Sequence, residues 1–255
     1  MTDDAAHYAK SDERVHEIGV DSSWSEAWLF DVVQADGSLG ASIEFVLCDR
    51  GRSVGFHASV IRRDERLVSL VATGVAPPKP PGLEVRASGL WADIGIQTPF
   101  DHATVDIEAF AVELDHPSEA LADAFGLRTP LGCELEWETA SGLVAGPQPT
   151  SYELPCVVHG ELLLGSDVIE IDGWGWRSHR WGAATPDSRR RFRGRAATGA
   201  WIADDGDERE LSMTVLGTAP VPDLASPGMH LHQFLARSET GDVAWIRRTE
   251  PGPLA

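Results

Sequence analysis

The chain has 255 residues, 42% of them hydrophobic and 24% charged, which is the composition of a globular protein long enough to bury a core. A formal net charge of −19 argues against nucleic acid or an anionic membrane surface as a partner, since both require a basic face. The sequence has no apolar run near the roughly 20 residues that span a bilayer, and its first residues lack the basic start and apolar stretch of a signal peptide. We therefore expect a cytoplasmic protein with no membrane span.

Hydrophobic periodicity divides the chain into a tail and a long series of strands. Residues 1–20 are polar and without periodicity, and we predict that they form a flexible N-terminal tail. Beyond them, apolar residues occupy alternate positions, most clearly in residues 42–47, 133–138 and 210–215. Alternation with a period of two is typical of antiparallel strands that have one buried and one solvated face.

Turn sequences and one short helix separate the predicted strands. Asp49-Arg50-Gly51 is typical of a hairpin turn, and a helix is predicted over residues 118–125. The Pro-containing residues 146–150 separate two β-rich blocks, so we predict domains at residues 21–146 and 147–255. The predicted fold class is all-β, with two sequential antiparallel barrel or sandwich halves and one short helix.

The segment from Gly173 to Gly182 has an unusual composition, with three tryptophans in ten residues. If this segment is a strand, Trp174 and Trp176 lie on the same face, because side chains alternate along a strand. Such large aromatic side chains either fill a core or line a ligand pocket, and the pattern leaves both possibilities open. We take Trp174, Trp176, Trp181 and the later Trp201 as candidate ligand-binding residues.

Part of this segment resembles the signature of a known family. Arg177-Ser178-His179-Arg180-Trp181-Gly182 resembles the Arg-Asp-His-Ser-Trp-Gly signature of the tandem lipocalin-like family that includes carotenoid 1,2-hydratases (hydroxyneurosporene synthases), tocopherol cyclases and some pericyclases. Residues 23–30 and 152–162 fit the same family. The resemblance implies two lipocalin-like β domains, of which the second carries the Trp-rich signature.

The signature departs from the family at one functional position. Ser178 stands where the family has an aspartate that is a candidate proton donor to an alkene, and a serine hydroxyl is too weak an acid for that step. His179 is the candidate catalytic residue, as a proton acceptor or as a group that holds a ligand hydroxyl. A histidine that only fixes the turn through a backbone hydrogen bond explains the position equally well. Arg177 and Ser178 are candidate ligand contacts.

The resemblance implies a function that involves apolar small molecules. Our leading hypothesis is a protein that binds a largely apolar molecule, of isoprenoid, steroid-like or polyketide type, in a β-barrel cavity. The alternative is an enzyme, either a lyase of the hydratase kind, which Ser178 disfavours, or an isomerase of the cyclase or pericyclase kind, which works by holding a folded substrate. A non-catalytic structural or interaction domain with a filled core is a second alternative.

Two further clusters of residues carry open alternatives. His230 and His232 share one strand face, as two zinc ligands do, but the sequence places no third ligand beside them, so we predict no metal site and no cofactor. The arginine-rich residues 189–195 either bind an anionic group of the ligand or pair with acids such as Glu208 and Glu210.

Overall fold

Most of the described residues lie in β-strands. A computed structural model describes residues 8–21, 23–79, 81–121, 124–183, 190–196, 199–204, 213–226 and 228–252, and between residues 184 and 212 it describes the side chain of Arg193 alone. The strands are β1 (Trp24–Gln34), β2 (Leu39–Cys48), β3 (Ser53–Arg62), β4 (Leu67–Val75), β5 (Val85–Ala87), β6 (Leu90–Thr98), β7 (His102–Leu114), β8 (Leu127–Thr139), β9 (Val144–Ala145), β10 (Ser151–Leu164), β11 (Asp167–Ala183), β12 (Arg190–Ala196), β13 (Gly199–Asp204), β14 (Met213–Pro222), β15 (Met229–Ser238) and β16 (Val243–Pro251). The same residues include short 3-10 segments at Lys10–Glu13, Asp49–Gly51 and Pro117–Leu121. Within the described ranges, no helix is long and apolar enough to cross a membrane.

Eight strands close into an antiparallel barrel, in the order β4-β3-β2-β1-β11-β10-β8-β7. The ring closes where β4 pairs with β7, with Leu67 opposite Leu114. β6 pairs with another part of β7 and carries β5 at its edge, while β9 pairs with β10. The predicted all-β fold is therefore confirmed.

Aromatic side chains fill the middle of the barrel. Trp28, Phe30, Phe45, Phe56 and Trp137 are each at most 2% exposed and belong to one apolar cluster. Barrels of about eight strands have an interior just wide enough for side chains, so this part of the barrel is a packed core.

A second, five-stranded sheet with the order β13-β12-β16-β15-β14 covers one side of the barrel. Leu235 and Trp245 of this sheet share a buried apolar cluster with Trp174 and Trp176, which point outward from β11. One part of the interface between barrel and sheet is therefore an ordinary apolar contact.

The predicted alternation of buried and solvated faces is confirmed only in part. In β8, Leu135 and Trp137 are buried and the glutamates around them are exposed, as predicted. In β2 the prediction of a solvated face is wrong, because the second sheet covers the outward-facing Glu44. The predicted burial of Val215 in β14 is also wrong, since the register shifts between Val215 and Gly217 on this edge strand and Val215 is exposed.

The predicted helix also differs from the structure. Of the helix predicted over residues 118–125, the structure describes a 3-10 segment, Pro117–Leu121, and two non-helical residues, 124 and 125, while residues 122 and 123 lie outside the described residues. A run this short makes few internal hydrogen bonds. The domain boundary expected between residues 146 and 147 remains a prediction, and it falls between strands of the same barrel. β10 and β11 lie after that boundary and pair with β8 and β1, which lie before it.

Residues 8–20, the described part of the N-terminal tail predicted over residues 1–20, pack on one end of the barrel, while residues 1–7 lie outside the described residues. The Tyr8 hydroxyl donates a hydrogen bond of 2.6 Å to the carbonyl oxygen of Ser151. Glu13 is only 2% exposed. Single polar side chains anchor this segment, and such anchors leave no periodic pattern in a sequence.

Candidate functional site

Strand β11 presents the signature to two different environments. Because side chains alternate along a strand, Arg177 and His179 point into one end of the barrel, whereas Ser178 and Arg180 point toward the second sheet. His179 lies opposite Trp28 of β1, and the two rings stack with centroids 4.3 Å apart. The signature therefore contributes to two groups of residues, one inside the barrel end and one outside the barrel wall.

The barrel-end cluster consists of His16, Glu26, Tyr152 and His179. His179 Nε2 lies 2.8 Å from Glu26 Oε1, and His16 Nδ1 lies 2.7 Å from the same oxygen. The backbone N–H of His16 donates to Glu26 Oε2 over 3.0 Å. The other ring nitrogen of His179, Nδ1, lies 2.8 Å from the carbonyl oxygen of Asp12. One buried carboxylate thus holds two imidazole rings.

A buried ion pair between Glu13 and Arg177 lies beside this cluster. Arg177 Nη1 donates to Glu13 Oε1 over 3.0 Å and to Oε2 over 2.7 Å. The Tyr152 hydroxyl donates to Glu13 Oε1 over 2.7 Å. Burial, reinforced by the nearby charge of Glu13, raises the pKa of Tyr152 well above its ordinary range, so the phenol remains a hydrogen-bond donor.

Burial and hydrogen bonding set the protonation of the barrel-end cluster. Burial lowers the pKa of His179, and the neighbouring Glu26 only partly offsets this effect. Burial alone would raise the pKa of Glu26, but the contacts of its carboxylate with His16 and His179 outweigh it and the pKa is lowered. His179 therefore has the backbone partner expected of a purely structural histidine, the carbonyl oxygen of Asp12. It also has a carboxylate partner, Glu26, which suits proton transfer.

The interface cavity lies between the outer face of the barrel and the second sheet. Its volume is about 140 Å³. Ser178 and Arg180 of β11 contribute to its wall, as do Glu44 of β2 and Asp223, which follows β14. The apolar part of the wall consists of Ala27, Leu29, Pro147 and Leu231.

Arg193 of β12 joins two carboxylates of the barrel wall beside this cavity. Its Nε and Nη2 donate to the two oxygens of Glu153 over 3.0 and 2.9 Å. Its Nη1 lies 3.5 Å from Asp31 Oδ2. Burial raises the pKa of Asp31, although Arg247 and Arg193 act in the opposite direction. These charged groups are all buried or half-buried, so their interaction is little screened by water.

Glu44 is the centre of a second charged group. Arg180 Nη2 lies 3.4 Å from Glu44 Oε1, and His57 Nδ1 lies 3.5 Å from Oε2. Burial alone would raise the pKa of Glu44, but Arg180, Arg247 and His57 outweigh it and the pKa is lowered. Burial lowers the pKa of His57 to about 4, so its ring is neutral at pH 7.

The pKa of Asp223 is displaced in the opposite direction to the pKa of Glu44. Its Oδ1 accepts hydrogen bonds from the backbone N–H groups of Ala225 and Ser226, over 3.0 and 3.2 Å. Burial raises its pKa despite the nearby Arg180, and the charge of Glu44 adds to the increase. Two carboxyl groups with oppositely displaced pKa values therefore line one cavity.

The four candidate tryptophans occupy different places. Trp174 and Trp176 are buried in the apolar part of the interface. Trp181 is half-buried at the barrel-end cluster and stacks on His16, with ring centroids 4.0 Å apart. Trp201 belongs to β13, and its side chain lies outside the described residues. Ligand contacts by these rings remain predictions.

The histidine pair and the arginine-rich run make different contacts. The ring centroids of His230 and His232 lie 6.4 Å apart. Within the described ranges, one group of three side chains, His16, Glu26 and His179, brings its possible metal-binding atoms close together, and it contains neither of these histidines. Arg193 pairs with acids of the barrel, while Glu208 and Glu210 lie outside the residues described.

Sequence reasoning did not identify several of these residues. Glu26 and Asp31 are acids within a strand whose other residues are largely apolar on both faces, and this interruption is a usable signal. Glu44 alternates with apolar residues and therefore resembles a solvated residue. His16 and Asp223 lie outside periodic segments and give no such signal.

Comparisons with known proteins agree with this architecture. The structure is similar to that of a candidate AttH from Nitrosomonas europaea, with 10% sequence identity, coverage of 97% of this chain and 98% of that chain, and a TM-score of 0.55. It is also similar to kievitone hydratase from Nectria haematococca (10% identity, coverage 94% and 93%, TM-score 0.45) and to CghA with Sch210972 (12% identity, coverage 88% and 58%, TM-score 0.40). At 10% identity the likeness to the AttH protein shows the all-β fold and no activity.

The family assignment rests on a match to the sequence itself. No protein of curated function matches the chain significantly. The model of a family described as a domain of unknown function, DUF7064, matches residues 9–203, which include the N-terminal segment, the barrel and the signature. The chain therefore belongs to the DUF7064 family.

Proposed function

We propose that this chain is an enzyme that carries out acid–base chemistry on a small molecule bound in the interface cavity. The observation that carries the proposal is that Asp223 and Glu44 line one cavity and have pKa values displaced in opposite directions. A pair of carboxyl groups displaced in this way is a general means of providing an acid and a base in one active site. Asp223 is then the proton donor and Glu44 the acceptor.

The cost of burying charge supports the same location. The Glu153–Arg193 pair is buried, and the buried carboxylate of Glu44 faces the half-buried Arg180. Apolar side chains of similar volume stabilise a fold at least as well as a buried ion pair. The neighbouring part of the interface, around Trp176, is apolar. Charged residues are concentrated at the cavity, where carboxyl groups with displaced pKa values can act in catalysis.

The groups in the wall indicate a reaction class and a kind of substrate. An acid and a base that share a small cavity suit the addition or removal of water, or the movement of a double bond, hence a lyase or an isomerase. Arg180 can bind an oxygen-bearing group, while Ala27 and Leu29 can contact a carbon skeleton. The resemblance of the signature makes isoprenoid, steroid-like and polyketide-type skeletons the first substrates to test, and a cavity of about 140 Å³ encloses only the reacting segment of such a molecule. A hydratase reaction does not depend on Ser178 if Asp223 supplies the proton.

A second candidate function is the binding of an apolar molecule without chemistry. The observation that favours it is a separate cavity of about 360 Å³ at the barrel end, within the usual range for ligand sites. Its wall includes Val15, Ile18, Trp24, Leu47 and Pro77.

Isotope incorporation distinguishes these two functions. Native mass spectrometry of protein purified from its own host, followed by organic extraction, supplies a retained compound. The compound is incubated with the full chain in D2O or in water enriched in ¹⁸O, and its mass is followed over time. We expect incorporation by the wild type and a rate lower by at least about 100-fold in Asp223→Asn and in Glu44→Gln.

Asp172→Asn is the matched control, since this carboxylate of β11 is 82% exposed and lies outside the cavity wall. It is expected to retain the wild-type rate. Retention of a compound with no isotope incorporation by the wild type supports binding alone. Equal rates in the wild type and Asp223→Asn contradict the assigned acid.

A further inference from the structure

Three side chains of the barrel-end cluster converge on one point. One ligand-type atom from each of His16, Glu26 and His179 lies within 4.8 Å of the other two. Glu26 and His179 are buried and His16 is half-buried. Two imidazole nitrogens and a carboxylate oxygen are the ligand set of many zinc and iron sites in proteins.

The hydrogen bonds of His179 leave a place for a cation at its Nε2. Its Nδ1 lies 2.8 Å from the carbonyl oxygen of Asp12, which only accepts, so Nδ1 carries the hydrogen. In a neutral imidazole the lone pair is then at Nε2, and it faces Glu26 Oε1 over 2.8 Å. Two acceptor atoms face each other at this distance only if a further proton or a metal ion lies between them.

The surrounding contacts are those that orient metal ligands. A metal-binding histidine commonly donates its other N–H to a backbone carbonyl or a carboxylate, as His179 does to Asp12. The carboxylate of Glu26 accepts the backbone N–H of His16 on both oxygens, over 3.1 and 3.0 Å. Trp28 stacks on His179 and Trp181 stacks on His16, which fixes both ring planes.

We propose that His16 Nδ1, Glu26 Oε1 and His179 Nε2 bind one divalent transition metal ion, in the first place Zn²⁺. Ligands of a tetrahedral ion at about 2.0–2.1 Å are roughly 3.3 Å apart, so the side chains must separate by about half an ångström. His16 can make this adjustment because its side chain is 20% exposed and lies on the N-terminal segment.

The position of His16 also indicates what the ion faces. His16 lines the apolar cavity of about 360 Å³ beside Trp24 and Leu47. A fourth ligand of the ion, a water molecule or a group of a bound apolar molecule, is supplied from that side. The metal ligands are different residues from the acid and base proposed for the interface cavity, although His179 also contributes to the wall of that cavity, and the metal proposal does not depend on them.

Metal titration of the full chain tests this inference. Protein stripped with a chelator is titrated with Zn²⁺ by calorimetry and with Co²⁺ by visible absorption. We expect one equivalent of each ion, and a Co²⁺ spectrum with the intense visible bands of a four- or five-coordinate site. His16→Ala and Glu26→Gln are each expected to weaken binding by at least tenfold, whereas Asp223→Asn leaves it unchanged.

The double variant His230→Ala/His232→Ala is the matched control, because it removes two neighbouring imidazoles from another strand. It is expected to keep the wild-type affinity. Circular dichroism verifies the fold of each variant, and His16→Ala decides the outcome if Glu26→Gln does not fold. The inference is overturned if the stripped wild type binds neither ion stoichiometrically, if His16→Ala binds as tightly as the wild type, or if only the control variant loses the ion.

Discussion

Arg177 donates two hydrogen bonds from Nη1 to the carboxylate of Glu13, of 3.0 and 2.7 Å, although 164 residues separate the two in the chain. Both side chains are at most 4% exposed. The pair joins the N-terminal segment to the signature strand, so this segment belongs to the folded unit. Loss of either partner leaves a charge without its counterion in the protein interior.

Glu13→Ala is expected to lower the free energy of unfolding by about 3–5 kcal/mol, because it leaves the guanidinium of Arg177 buried and unpaired. Urea-induced unfolding, followed by tryptophan fluorescence, measures the change. Glu17→Ala is the control, since Glu17 is an exposed glutamate of the same segment, and a change within about 0.5 kcal/mol is expected. Similar values for the two variants would show that the buried pair contributes nothing.

Trp176→Ala is expected to lower the free energy of unfolding by about 3–5 kcal/mol, as removal of a large aromatic side chain from a core does. The indole packs in the apolar part of the interface, where the second sheet cannot close over the space it leaves. Trp91→Ala, at a half-buried tryptophan of β6, is expected to cost less. A loss of ligand affinity with unchanged stability would instead assign Trp176 to a pocket wall.

His57 makes the fold sensitive to acid. Its pKa in the folded state is about 4, below the ordinary 6.5, because burial disfavours the charged ring. The corresponding stability is complete above pH 6.5 and is lost as the pH falls from 6.5 toward 4, by about 3 kcal/mol over that window. His57→Gln is expected to show a shallower fall in unfolding free energy over the same window. Urea titrations between pH 7 and pH 4 measure this slope, and parallel curves for variant and wild type would contradict the assignment.

Asp31 changes the stability of the fold with pH in the opposite direction to His57. Its raised pKa means that the folded state favours the protonated carboxyl, so its contribution is complete below the ordinary value of 3.8 and is lost as the pH rises through the higher folded value. The asparagine variant has no such loss. The unfolding free energy of Asp31→Asn minus that of the wild type is therefore expected to grow as the pH rises from 4 to 8. A difference that shrinks over this range would show that Arg193 and Arg247 outweigh burial.

Ser178→Asp is expected to leave the fold intact, with a melting temperature within a few degrees of the wild type. Ser178 lines the interface cavity, where there is space for a longer side chain and where Arg180 and Arg193 also line the wall. Differential scanning fluorimetry measures the change, with Ser178→Val as a variant of similar volume and no charge. Unfolding of the aspartate variant alone would mean that Glu153, which lies opposite Ser178 in the strand pairing, repels the added charge.

The sequence predicts those parts of the fold in which burial is decided within one strand. Leu135 and Trp137 alternate with exposed glutamates because one face of β8 meets solvent. Glu44 shows the same alternation, yet it is buried, because a sheet formed about 150 residues later in the chain covers β2. Hydrophobic periodicity indicates which face of a strand is buried only where no element from a distant part of the chain covers the polar face.

The sequence indicates aromatic and basic residues as site candidates and none of the acids that lie beside them. His179 is conspicuous within the signature, but its partner Glu26 lies 153 residues earlier. Asp223 follows a strand end and is placed in the cavity by the packing of two sheets. The topology of the fold decides which residues meet over such distances in the chain. The alternation of residues within a single strand carries no information about that topology.

The long ladder between β1 and β11 affects how the chain folds during synthesis. β1 finds its barrel neighbour only when residues 173–183 are made, since Gln34 pairs with Gly173 and Trp24 with Ala183. Until the ribosome has released that segment, β1 keeps one edge of unpaired backbone groups, which is a template for association with other nascent chains. Contacts of such high sequence separation also form slowly. Chaperone demand is therefore expected to be greatest for chains that stop short of β11, and to fall once the strand that carries the signature has docked.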